Sequence, residues 1–73
     1  MFMSELTIQF GQLVRKYRKA KSMSQEQLAL LCNMDRSYLG RIERGEVNPT
    51  LEKIYELARV LRVSPKDLLP DRL

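Results

Sequence analysis

The 73-residue sequence contains no histidine, no tryptophan and a single cysteine. Zinc sites are built mainly from cysteine and histidine, so the usual kind of zinc site is excluded. One cysteine cannot form an intramolecular disulfide framework, and a free thiol is typical of a reducing compartment. We therefore expect a cytoplasmic protein without a bound metal or other cofactor.

The sequence also lacks long apolar runs, clustered carboxylates and a glycine-rich phosphate loop. Its longest uninterrupted apolar run is Leu28–Cys32, which is far too short to cross a membrane. No apolar signal region follows the first residues. Without histidine, there is also no recognisable catalytic constellation. The sequence predicts a protein that is not an enzyme, does not associate with membranes and has no evident small-molecule ligand.

Positive charge is what the sequence has in excess, and it is unevenly distributed. The formal net charge is +4, and residues 11–45 hold eight Lys/Arg against three Asp/Glu. The rest of the chain holds five Lys/Arg against six Asp/Glu. A basic half beside a near-neutral half favours one face that binds a polyanion. A merely soluble surface is the alternative interpretation.

Apolar residues recur at helical spacing, and capping residues divide the chain into five helices. This pattern predicts an all-α fold in a single domain over residues 1–73. The first helix is expected from about residue 5 or 7 to residue 21. The third is expected over 36–44, ending at Gly45. The fourth and fifth helices lie at about 51–69, with caps at Thr50 and Ser64.

The second and third helices are short and joined by about three residues, which is the geometry of a helix-turn-helix over about 24–44. Ser24 and Gln27 have the spacing of a capping box. Asn33 tolerates a left-handed conformation at the end of the second helix, and Asp35 is expected to cap the third. Cys32 occupies a packing position between the two helices, where a buried side chain is a better interpretation than a redox sensor.

On a helical wheel, Leu39 and Ile42 define the core side of the third helix. The opposite side carries Arg36, Ser37, Gly40, Arg41 and Arg44. Arginine suits bidentate pairing with guanine in the major groove, and a glycine removes a side chain where a helix must approach a duplex closely. We expect this face to contact DNA. A solvated helix face with a tolerated glycine is the alternative.

Four segments together resemble the phage-repressor (Cro/C1, or XRE) family of helix-turn-helix regulators. They are SQEQLA at 24–29, IERG at 42–45, NPTLEKI at 48–54 and VSPKDLL at 63–69. The resemblance covers about residues 13–69. The segment MDRSYLGRIERGEVNPTL at 34–51 further resembles the small controller proteins of restriction–modification systems. The resemblance implies a five-helix phage-repressor-like domain that binds double-stranded DNA as a homodimer.

The resemblance also implies roles for individual residues. The positions that face bases are Arg36, Ser37, Tyr38, Gly40 and Arg41. The positions that contact phosphate are Ser24, Gln25, Arg44, Asn48 and Thr50. An internal ion pair joins Arg18 to Glu43. The positions expected at a two-fold interface are Tyr55, Val60, Val63, Leu68 and Leu69. For each of these last five, the core of the monomer is the alternative location.

The expected function is that of a sequence-specific transcriptional regulator on a palindromic operator, such as an autoregulatory controller of a restriction–modification system. A general XRE repressor is one alternative. An antitoxin-type module, which binds a protein partner and uses DNA binding secondarily, is another.

Overall fold

The computed structural model describes residues 4–71, and no strand occurs among them. The α-helices are α1 (Glu5–Ala20), α2 (Gln25–Leu31), α3 (Arg36–Glu43) and α4 (Leu51–Leu61), and a 3₁₀ helix follows at Pro65–Leu68. The all-α prediction is therefore confirmed for this range, but the expected fifth helix is only a single 3₁₀ turn. Pro65 supplies no N–H donor and Pro70 ends the segment, so too few residues remain for an α-helix.

The core lies between the four α-helices, and the 3₁₀ helix packs against α1 and α4. Its buried apolar residues are Phe10, Val14, Leu28, Ala29, Cys32, Leu39, Ile42, Leu57, Ala58, Leu61 and Leu68. Cys32 is fully buried, as its packing position predicts. Burial, reinforced by the Glu56 carboxylate, raises the pKa of the Cys32 thiol to about 11. The thiol therefore stays protonated at neutral pH and behaves as a small core side chain.

Helix α1 begins at a capping box formed by Ser4 and Thr7. The Ser4 Oγ accepts from the Thr7 backbone N–H at 3.1 Å, and the Thr7 Oγ1 accepts from the Ser4 N–H at 2.9 Å. The same Thr7 hydroxyl is 3.0 Å from the Gly45 carbonyl oxygen, in a buried contact. One side chain thus both starts α1 and ties it to the chain just beyond α3.

The crossing of α1 over the end of α3 depends on Gly11. A Cβ atom at this position would overlap the Ile42 carbonyl oxygen and lie 2.7 Å from the Glu43 carbonyl oxygen. Both neighbours are backbone atoms, which cannot rotate away. The glycine that weakens the α1 pattern in the sequence is therefore the residue that lets the two helices approach.

All four α-helices end at a residue with positive φ. These residues are Ser22 at 58°, Asn33 at 53°, Gly45 at 78° and Arg62 at 60°. At each end, the N–H of the next residue bonds back to a carbonyl of the last helical turn, as in Glu46 N–H to Arg41 O at 2.9 Å. These are Schellman closures. The predictions for Asn33 and Gly45 are confirmed, whereas Ser22 and Arg62 carry no sequence signal for this conformation.

Candidate nucleic-acid interface

The helix-turn-helix consists of α2, the linker 32–35 and α3. The capping box at Ser24 is confirmed, because its Oγ accepts from the Gln27 N–H at 3.0 Å while the Gln27 Oε1 accepts from the Ser24 N–H at 2.8 Å. Asp35 occupies the N-cap position of α3, but its side chain makes no capping hydrogen bond. The prediction for Asp35 is wrong in this respect. Since the residue is exposed, solvent can satisfy the N–H groups there.

Helix α3 has one buried and one charged side. Leu39 is 0% exposed and Ile42 is 1% exposed. On the other side, Arg36, Ser37, Arg41 and Arg44 are exposed, while Gly40 itself is buried. The Cβ position of Gly40 is 3.2 Å from Arg44 Nη1 and 3.7 Å from Gln25 Oε1. The wheel therefore locates Gly40 on the correct side, but the glycine lies beneath two polar side chains instead of being open to solvent.

The charged side of α3 forms one wall of a groove of about 390 Å³. Its lining residues are Gln25, Arg36, Ser37, Gly40, Arg41 and Arg44. Within residues 4–71, neither Arg36 nor Arg41 forms an ion pair, whereas Arg44 pairs with Glu46. The groove therefore presents two guanidinium groups that form no ion pair in this range, above a floor that has no side chain, and Arg41 lies near enough to Glu46 to help lower the pKa of that carboxyl.

A buried network fixes α3 against α1 and α2. Arg18 donates from Nε to Glu43 Oε2 at 2.7 Å and from Nη2 to Glu43 Oε1 at 3.0 Å. The Nη1 of Arg18 donates to the Met23 carbonyl at 2.8 Å. Gln25 Nε2 donates to Glu43 Oε1 at 2.9 Å. Both charged residues are only 8% exposed. The groove residue Gln25 is thus oriented by a bidentate ion pair that lies behind it.

The other positions expected at DNA lie outside this groove. Tyr38 is half-buried and lines a separate hollow with Leu30, Met34 and Lys53 among its neighbours. The Thr50 Oγ1 accepts from the Lys53 N–H at 3.2 Å as the cap of α4, which confirms that cap. Asn48 is exposed in the loop that precedes α4. The structure therefore brings Gln25, Arg36, Ser37, Gly40, Arg41 and Arg44 together, and leaves Ser24, Tyr38, Asn48 and Thr50 outside this groove.

The residues expected at a two-fold interface differ in exposure. Tyr55 is 61% exposed, Leu69 is 42% exposed, and Leu68 is 0% exposed. Val60 and Val63 are half-buried. Leu68 cannot contact a partner, because the 3₁₀ helix turns its side chain wholly into the core, so the expectation for this residue is corrected. The neighbouring Leu51 is 73% exposed, and the sequence reasoning did not include it.

Other features of residues 4–71 do not suggest a competing site. No cluster of three or more His, Cys, Asp or Glu residues could hold a metal ion within this range. None of its helices has the length and apolar character needed to span a membrane. A larger groove of about 600 Å³ lies between α1 and the C-terminal segment. It mixes Lys16 and Lys66 with Asp67 and Asp71, so it presents no single sign of charge.

Comparison with known proteins gives consistent matches. The sequence model of the helix-turn-helix family matches residues 14–68. Control protein C.BamHI of Bacillus amyloliquefaciens is 46% identical over 67 residues, which cover 90% of this chain and 83% of that protein. Control protein C.SmaI of Serratia marcescens is 45% identical over 56 residues, 77% of this chain and 67% of that protein.

Two solved structures extend the comparison to three dimensions. The restriction–modification controller protein C.AhdI of Aeromonas hydrophila superposes with a TM-score of 0.84 at 46% identity, covering 86% of this chain and 96% of that chain. The master regulator of biofilm formation SinR, solved in complex with DNA, superposes with a TM-score of 0.77 at 37% identity, covering 81% of this chain and 95% of that chain. Fold, groove and sequence agree, and the chain belongs to the helix-turn-helix family of XRE-type DNA-binding transcription regulators.

Proposed function

We propose that this protein is a sequence-specific transcriptional regulator that binds a palindromic DNA operator as a homodimer. The observation that carries the proposal is the pair of exposed arginines on α3, Arg36 and Arg41, which have no carboxylate partner within residues 4–71. An unpaired guanidinium on an exposed helix can form two parallel hydrogen bonds to the O6 and N7 of guanine. Ser37 lies between them in sequence and adds a hydroxyl that can donate or accept.

The rigidity of α3 supports this function. The helix is held by the Arg18–Glu43 ion pair at one point and by the close approach of Gly11 at another. A recognition helix fixed in this way loses little conformational freedom when it enters the major groove. Gln25 and Arg44 lie beside it on the same groove, where they are suited to contact the phosphate backbone. Asn48 and Thr50, around the start of α4, extend the proposed backbone contacts.

The exposed apolar side chains near α4 support a homodimer. Tyr55 and Leu51 are separated by one helical turn, and both are largely exposed. We place them with Leu69, Val60 and Val63 at a two-fold interface. A symmetric dimer of this kind would place its two α3 helices in successive major grooves, about 34 Å apart, and would select a palindrome.

The controller proteins among the relatives support a narrower role. Both control proteins named above cover most of this chain, and C.AhdI has nearly the same fold over 96% of its length. We therefore propose that this regulator acts in the cytoplasm on a promoter of a restriction–modification system, its own promoter included. The palindrome recovered by DNA selection tests this assignment, since it should occur upstream of those genes and of the regulator's own gene.

The DNA-binding role is tested by in vitro selection from random duplexes, followed by titration of the selected site. Arg36→Ala should weaken binding to that site by about 1–3 kcal/mol, or about fivefold to 150-fold. Arg59→Ala is the matched control, because it removes an exposed arginine of α4 and should leave affinity nearly unchanged. Equal affinities for wild type and Arg36→Ala would show that Arg36 does not read the operator.

The dimer is tested by sedimentation equilibrium. Tyr55→Lys should shift the protein to a monomer, because the charge would be buried without a counter-ion at the proposed interface. Leu30→Lys is the control, since Leu30 is 78% exposed on α2 and lies outside that interface. A Tyr55→Lys protein that dimerises as tightly as wild type would exclude this surface.

A further inference from the structure

Arg44 differs from the other arginines of the α3 groove, because a carboxylate already occupies two of its nitrogens. Its Nε donates to Glu46 Oε2 at 2.8 Å, and its Nη2 donates to Glu46 Oε1 at 3.4 Å. The two residues are separated only by Gly45. This spacing is not one at which side chains meet on a helix, so no helical pattern reveals the pair.

The end of α3 sets the geometry of this pair. Gly45 adopts a φ of 78° and turns the chain back toward the helix. The Glu46 N–H then bonds to the Arg41 carbonyl at 2.9 Å. The backbone of Glu46 is thereby fixed one residue beyond the turn, with its side chain beside Arg44. The helix closure therefore places the two side chains within reach of each other.

The pair lies at the edge of the proposed DNA-binding surface. Arg44 Nη1 extends over the floor of the groove, 3.2 Å from the Cβ position of Gly40. The Arg44 side chain is 59% exposed, and that of Glu46 is 25% exposed. A phosphate that reached Arg44 would therefore meet a guanidinium whose Nε and Nη2 edge is already bound to a carboxylate.

Protonation does not remove this carboxylate at neutral pH. The hydrogen bond from Arg44 lowers the pKa of Glu46, and the same bond raises the pKa of Arg44. Both groups stay charged, so DNA phosphate and Glu46 must compete for one guanidinium. If the phosphate displaces Glu46, an uncompensated negative charge remains next to the duplex.

We propose that Glu46 is an internal competitor of DNA phosphate for Arg44, and that it thereby limits the affinity of this protein for DNA of any sequence. The inference rests on the proposed regulator function. Phosphate contacts carry no sequence information. The competition therefore lowers the part of the affinity that comes from contacts to the DNA backbone and does not change the contacts to bases. The unpaired Arg36 and Arg41 would then supply a larger share of the total affinity, which favours discrimination between sequences.

The test is a fluorescence-anisotropy titration of a 24-bp duplex of random sequence at several salt concentrations. Glu46→Gln keeps the size of the side chain and removes its charge. It should tighten binding by about threefold to fivefold for each protomer, since an exposed ion pair no longer has to be broken. It should also steepen the slope of log affinity against log salt by about 0.9 for each protomer. In wild type, a displaced Glu46 carboxylate would bind a cation from solution and offset one of the cations released from DNA, and glutamine cannot do so.

A double-mutant cycle separates competition for Arg44 from general repulsion. In an Arg44→Gln background, Glu46→Gln should tighten binding much less than it does in wild type, since only the weaker Coulombic effect of Glu46 on Arg41 remains. Glu5→Gln is the matched control for a loss of one exposed negative charge, since Glu5 forms no ion pair within residues 4–71. Far-UV circular dichroism verifies that every variant is folded under the titration conditions.

The remaining outcomes overturn the inference. Unchanged affinity for Glu46→Gln would show that Glu46 does not compete, and weaker binding would show that it holds Arg44 in place for DNA. If Glu46→Gln tightened binding equally in the Arg44→Gln background, or if Glu5→Gln tightened it equally, the gain in affinity would come from the change in net charge and not from competition for Arg44. In all these cases wild type binds DNA and the regulator function stands. A wild-type protein that binds no duplex even at low salt would refute both proposals.

Discussion

The buried pair of Arg18 and Glu43 makes a quantitative prediction about stability. Arg18→Met keeps most of the side-chain volume but leaves the Glu43 carboxylate, 8% exposed, with Gln25 Nε2 as its one remaining side-chain donor among residues 4–71. Breaking a buried ion pair by removing one partner costs about 3–5 kcal/mol. A protein of this length has a total stability of about 4–11 kcal/mol. The single change should therefore remove a large part of the stability.

The assay is urea unfolding followed by far-UV circular dichroism at one fixed protein concentration, because dimerisation would add to stability. With a slope of about 1 kcal/mol per molar urea, the midpoint should fall by about 3 M or more. Arg18→Met/Glu43→Leu removes both charges and should recover most of the loss, since replacing a buried pair with apolar residues is often neutral. The double variant also keeps the prediction testable if the single variant does not fold.

Two results would refute this reasoning. If Arg18→Met lowered the free energy of unfolding by less than about 1 kcal/mol, water would have to reach the unpaired Glu43 carboxylate, and the site would not exclude solvent. A double variant no more stable than the single one would mean that the loss comes from packing and not from an unpaired charge.

Three further predictions concern single residues. Gly11→Ala should cost about 2 kcal/mol or more in urea unfolding, because its Cβ would meet rigid backbone. Gly40→Ala is the control, since its Cβ meets the side-chain ends of Arg44 and Gln25, and alanine gains up to about 1 kcal/mol of helix propensity. Ser22→Gly should stabilise by about 0.5 kcal/mol, because relief of the left-handed backbone exceeds the entropy that glycine adds to the unfolded chain; an unchanged midpoint would contradict this. Cys32, with its pKa raised to about 11, should be about 0.1% thiolate at pH 8, so iodoacetamide should label the native protein far more slowly than the urea-unfolded protein in a mass-spectrometric time course. Equal rates would mean that the thiol is accessible in the folded state.

Much of the fold follows from local patterns in the sequence. The apolar spacing and the caps predict both ends of α1 and α3 and the start of α4 to within about two residues. Gly45 and Asn33 predict two of the four left-handed helix ends. Ser22 and Arg62 do not, because a serine or an arginine adopts positive φ only when the packing of the following residues compensates for the strain. The last helix is a 3₁₀ turn for a different reason, since Pro65 and Pro70 leave too few residues between them for an α-helix.

Part of the candidate site can likewise be predicted from the sequence, and part of it cannot. The helical wheel separates the arginine face of α3 from its core side, because that division depends only on residues within one helix. It does not show that Gln25 covers Gly40, or that Glu43 receives bonds from both Arg18 and Gln25. The Arg18–Glu43 pairing came from the family resemblance, since the wheel alone leaves Glu43 at the margin of the core.

The sequence by itself therefore determined the all-α class, the helix-turn-helix and the positively charged face, since each depends on residues close together in the chain. Only the tertiary structure decided which arginines of that face are uncompensated. Arg44 acquires Glu46 through the left-handed turn at Gly45, while Arg36 and Arg41 form no ion pair within residues 4–71. The physical reason is that an ion pair requires two side chains to meet in space. The Arg44–Glu46 contact depends on the left-handed turn at Gly45, and the distances from Arg36 and Arg41 to carboxylates of other elements are set by packing, which local sequence patterns do not encode.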